Sequence, residues 1–115
     1  MDGRPQRKVS DYLLTSFGVR YLDTVTTAGM VRHLADETEQ TPAILANLDH
    51  SVRNHESRHI AVVAHYDCIG NPVPEKVQRE QITAAVERVK TIYPGPEVVG
   101  LWLDGHGIIS RVWSK

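Results

Sequence analysis

The stretch Ile60-Ala61-Val62-Val63-Ala64, followed at once by His65-Tyr66-Asp67-Cys68, decides how this chain is read. A short apolar run rich in β-branched residues reads as a buried, central strand. In open α/β sheets ligands bind just beyond the carboxyl ends of the strands. His65 and Cys68, the only thiol of the chain, fall at that position, where a metal could sit.

Working outward, Thr41-Pro42 offers an N-cap and a proline in a first helical turn, and Ile44, Leu45, Leu48 and Val52 follow at helical spacing. This helix feeds the Ile60 strand. Beyond the His65 motif, Pro72 and Pro74 interrupt the chain, and residues 75–93 have the pattern of a long amphipathic helix. Its apolar side is expected to hold Val77, Ile82, Ala85, Val86, Val89 and Ile92, with Pro94-Gly95-Pro96 closing it. The last segment reads as a β-hairpin, with strands over 98–103 and 108–113 around Asp104-Gly105-His106-Gly107, whose glycines suit positive φ in a tight turn. Near the start, Val9, Leu13, Leu14 and Phe17 space a helix over 5–17 with Gly18 as its stop, and residues 19–26 read as a strand ended by a loop at 27–29. Strands alternating with helices and ending in a hairpin predict an α/β fold with a mostly parallel sheet and an antiparallel edge.

At 115 residues, 41% hydrophobic and 23% charged, the chain fits one globular domain and leaves no room for a second core. A net charge of −1 and a pI near 6.6 supply no basic surplus, which argues against nucleic acid and anionic membrane surfaces as partners. One Cys excludes an intrachain disulfide, and the start lacks the apolar core of a signal peptide. The expectation is a reducing, cytoplasmic setting. No apolar run approaches the roughly 20 residues of a membrane helix.

With the elements in order, the chain resembles the β-class carbonic anhydrases along nearly its whole length. The family's second zinc motif, His-[Ser/Thr/Tyr]-x-Cys-Gly-Gly, is approximated by His65-Tyr66-Asp67-Cys68-Ile69-Gly70, with Ile69 in place of one glycine. Its closing hairpin, Gly-x-x-Tyr-Asp-x-x-x-Gly, is approximated by Gly100-Leu101-Trp102-Leu103-Asp104-Gly105-His106-Gly107. Of its Arg-Asn-Ala-Gly-Asn segment, Thr26-Thr27-Ala28-Gly29-Met30 keeps only Ala-Gly. The family's first motif, Cys-x-Asp-x-Arg, is matched by Met1-Asp2-Gly3-Arg4 in its Asp and Arg alone, since the Cys would stand one residue before Met1. That carries a further expectation: residues 1–115 form one such domain without its first strand, and the natural chain continues upstream.

The resemblance implies a three-layer β-carbonic-anhydrase-like fold, zinc as cofactor, and a homodimer or a multiple of dimers with Trp102, Trp113 and the first helix as apolar surfaces to be covered. It implies zinc ligation by His65, Cys68 and an upstream Cys, with Asp2 or water completing the set, or by Asp2 as third ligand if the chain starts at Met1. It also implies a catalytic dyad, Arg4 holding the Asp2 carboxylate in a bidentate pair and Asp2 orienting the attacking water toward carbon dioxide or a related small molecule. Two plainer readings stand beside this one. The first is a non-catalytic metal-binding or structural dimer on the same scaffold, and the second a thiol-based sensor using Cys68. His106 reads as a surface turn residue, and His33, His50, His55 and His59 share no metal-binding spacing.

Overall fold

The computed structural model describes residues 11–15, 30–54, 58–66 and 72–112. Residues 11–15 are helical, inside the first expected helix; the rest of that helix and the 19–26 strand lie outside the described residues. The elements that follow are α1 (Met30–Ala35), α2 (Thr41–Asn54), β1 (His59–His65), α3 (Glu75–Ile92), β2 (Glu97–Leu103) and β3 (Ile109–Val112).

The sheet has the order β1-β2-β3, with β1 parallel to β2 and β3 antiparallel to it. The parallel register runs from His59 opposite Glu97 to His65 opposite Leu103, so the two strands end together. Among the described residues β2 is therefore the central strand and β1 lies at an edge. From Val98 to Leu103 every residue of β2 is buried. The hairpin forms as expected, with the positive φ of its turn at Gly107 (φ 80°). A side chain is strained in that region, and glycine is not.

α3 crosses between the two parallel strands and buries Ile82, Ala85, Val86 and Val89. It packs closest at Gly100, where an added Cβ would collide with Ile82 Cγ2 and lie 3.2 Å from Val86 Cγ2. Val77 and Ile92, expected on the same face, are instead 37% and 41% exposed. The buried stripe runs through Gln78, Ile82, the adjacent Ala85 and Val86, Val89 and Tyr93, one side of the helix that leaves Val77 and Ile92 to either side. At its start, Arg79 lies 6.0 Å from the Trp102 ring centre and donates to Ser110 Oγ at 3.2 Å. Trp102 is thereby buried within its own chain at 4% exposure. It is not an apolar surface waiting for a second copy.

α1, which no long apolar period announces, is too short to persist alone. Val31 and Leu34 anchor it in the core shared with α3, and Thr41 holds its end. The Thr41 hydroxyl donates to His33 O at 2.6 Å, satisfying a carbonyl of the last turn, and accepts Thr38 N–H at 2.9 Å. This corrects the expected capping role. Gln40 O receives the first helical bond, from Ile44 N, and Thr41 is already inside α2. Ile44 is buried as expected, with Leu45, Leu48 and Val52 packed against the same cluster. At the far end, Tyr93 Oη donates to Asp49 Oδ1 at 2.8 Å, joining α3 to α2, and Arg53 Nε shares that oxygen. The Arg53 hydrogen bond, and then that of Tyr93, hold the Asp49 carboxyl below its ordinary range. Burial, and then Asp49, push the Tyr93 phenol up.

Candidate functional site

His65 is the last residue of β1, half-buried, on the strand face that alternates with Ile60, Val62 and Ala64. Its Nδ1 lies 2.8 Å from Tyr66 O. A carbonyl oxygen only accepts, so Nδ1 carries the proton and a neutral imidazole offers Nε2 as its lone-pair donor. That is the state a metal ligand needs, with the second nitrogen tied to an oxygen acceptor. The position follows from the register. β1 and β2 end at the same level, and Tyr66 N–H donates to Leu103 O at 3.0 Å just past the last pair.

The hairpin tip lies beside this end. Asp104 Oδ1 accepts the N–H groups of His106 and Ile108 at 2.8 and 3.0 Å, which closes the turn from within. An added Cβ on Gly105 would lie 3.7 Å from Tyr66 Cδ2, so the tip and Tyr66 are neighbours. Nothing local in the sequence announces that contact between two distant segments; it arises from the aligned strand ends. His106 is exposed, as a turn residue should be.

Of the expected zinc ligands and dyad residues, His65 alone is described. Asp2, Arg4 and Cys68 lie outside the described residues, as do Asp67 and Gly70. Among the described residues no group of three His, Cys, Asp or Glu side chains could hold a metal ion. Two other described histidines stand elsewhere. His33 is buried in the α1 corner with Nδ1 at 2.7 Å from Thr38 Oγ1, and His59 faces Glu97 at 3.4 Å at the opposite end of β1. His59 opens β1, so it is not on one helix with His55. The donor chemistry at His65 thus fits a borderline metal such as zinc, with at least part of the remaining ligand set from outside the described residues. No described helix is long and apolar enough to cross a membrane.

Comparison with known proteins gives one positive finding. A family model described as "Putative carbonic anhydrase" matches residues 1–113. No curated protein and no solved structure matches the chain.

Proposed function

The chain belongs to this carbonic anhydrase-like family, and on that premise we propose that it is a zinc-binding domain that hydrates carbon dioxide or a related small molecule. The observation that carries the reading is the His65 imidazole at the carboxyl end of β1, with Nδ1–H held by Tyr66 O and Nε2 left to bind. His65 and Cys68 hold the metal in this reading, with Asp2 available as a further carboxylate ligand. Zinc bound there supplies the Lewis acidity that makes water nucleophilic near neutral pH. With Asp2 off the metal, its carboxylate would accept a hydrogen bond from the attacking water and orient it, and Arg4 would hold that carboxylate through a paired hydrogen bond.

The three-layer, β-carbonic-anhydrase-like arrangement is part of the same proposal. Gly100 faces α3, so Val99, Leu101 and Leu103 alternate to the opposite face of β2, yet they are only 9%, 0% and 2% exposed. A second covering layer accounts for that burial. Pairing with a second copy and a cytoplasmic setting complete the reading; the single Cys fits the latter.

A non-catalytic metal-binding relative is the second reading. It is favoured by Ile69 in place of the motif glycine and by Thr26, Thr27 and Met30 in place of the polar residues flanking Ala-Gly. Stopped-flow carbon dioxide hydration by the zinc-loaded full chain separates the two. Turnover abolished by His65→Ala supports the enzyme, whereas zinc bound through His65 without turnover above buffer supports the second reading.

A further inference from the structure

Several contacts at the end of β1 converge on Tyr66. Its N–H fastens to Leu103 O at 3.0 Å. Its carbonyl receives His65 Nδ1–H at 2.8 Å. Its ring stands edge-on to the imidazole, with centroids 6.5 Å apart and planes at 83°. The same ring lies beside the hairpin tip, where a Cβ added to Gly105 would come to 3.7 Å from Cδ2. The tip is held in turn by the Asp104 carboxylate and by Gly107 N–H donating to Asp104 O at 3.1 Å.

We propose that Tyr66 is the positioning residue of this site: its ring, packed against both the imidazole and the hairpin tip, fixes the peptide that orients His65. The hydrogen-bond acceptor of His65 is a backbone carbonyl, so its direction is set by the torsions around residue 66 rather than by a rotatable side chain. The N–H to Leu103 O pins one end of that residue, and the ring pins the other. With both in place Nδ1 keeps its proton and Nε2 keeps its direction. Without the ring, the carbonyl swings, the imidazole loses its fixed tautomer, and a ligand bond to Nε2 must then order what the fold no longer orders. The functional meaning rests on the reading of His65 as a zinc ligand, but the orientation it asserts belongs to the metal-free chain.

Two measurements on the full chain test this and keep the two readings apart. Nitrogen-15 NMR of the metal-free protein reads which ring nitrogen of neutral His65 carries the proton. Chelator competition reads the affinity for zinc alone. The wild type is expected to show the Nδ1–H tautomer; Tyr66→Ala shows a mixture of tautomers and about tenfold or more weaker zinc binding. Tyr66→Phe, which keeps the ring, returns both to the wild-type values. Should the alanine variant unfold, Tyr66→Leu, which fills space without a flat ring, carries the same expectation. An unchanged tautomer in the folded Ala or Leu variant overturns the positioning role, as does a Phe variant as impaired as Ala. Zinc affinity equal in wild type and His65→Ala overturns the metal reading, while the tautomer result still decides the role of Tyr66.

Discussion

Two histidines, one at each of two corners of the molecule, make the same kind of contact to opposite effect. His33 in the α1 corner is 3% exposed, and its Nδ1 meets the Thr38 hydroxyl, an atom able to donate or accept. His65 at the sheet end is half-buried, and its Nδ1 meets a carbonyl, which only accepts. The first arrangement serves packing: the ring is enclosed, its backbone carbonyl is taken by Thr41, and Thr38 and Thr41 close a local network. The second leaves a nitrogen with a defined lone pair at the end of the strand. A buried polar group satisfied by its surroundings is structure; one satisfied at a single atom and presented at the other is chemistry.

The largest way to break the comparison is to strike the core between β2 and α3. Gly100→Val inserts a branched side chain where even a Cβ meets Ile82 and Val86, and overpacking of that kind costs about 3 kcal/mol. Urea denaturation should show that loss, with both corners disturbed together in NMR spectra. Thr41→Val should separate them. It keeps the shape but orphans His33 O, a loss of about 1–3 kcal/mol in the same measurement, and it should leave zinc affinity unchanged.

The smallest effect is a pH dependence where α2 meets the end of α3. Asp49 has its folded pKa depressed below the ordinary 3.8, so its contribution to stability is present above that pH and lost as pH falls through the lower, folded value. Tyr93 has its pKa raised above 10.0, so its contribution is present below pH 10 and lost as pH rises through the higher, folded value. The urea midpoint of Asp49→Asn should therefore fall less than that of the wild type on acidification below pH 4, with the sheet-end signals the same in both.

The elements that could be read from the sequence were those whose pattern is long enough to carry its own period. The α2 stripe of Ile44, Leu45, Leu48 and Val52, the Ile60 strand, the core of α3 and the glycine turn at 104–107 all form where their residues predict. α1 was not visible because a six-residue helix has no period to show. It exists through tertiary contacts, Val31 and Leu34 against the core and a hydroxyl from Thr41. Trp102 was misread because a large aromatic near the chain end looks like a surface to be covered, whereas it is already buried within the chain, with Arg79 of α3 above the ring. Gln78 completes the buried stripe of α3 in place of an apolar residue, donating through Nε2 to Val73 O at 3.4 Å. At the site, His65 was legible from its position at a strand end. Its tautomer and its neighbour at Gly105 were not, because both depend on how two strands end side by side.

Zinc content per folded chain, measured side by side in wild type, His65→Ala and His33→Ala after loading and removal of free metal, tests the central claim most directly. The account predicts close to one zinc per chain in the wild type, almost none in His65→Ala, and undiminished zinc in whatever fraction of His33→Ala is folded. Equal zinc in the wild type and His65→Ala, or none in either, would contradict it.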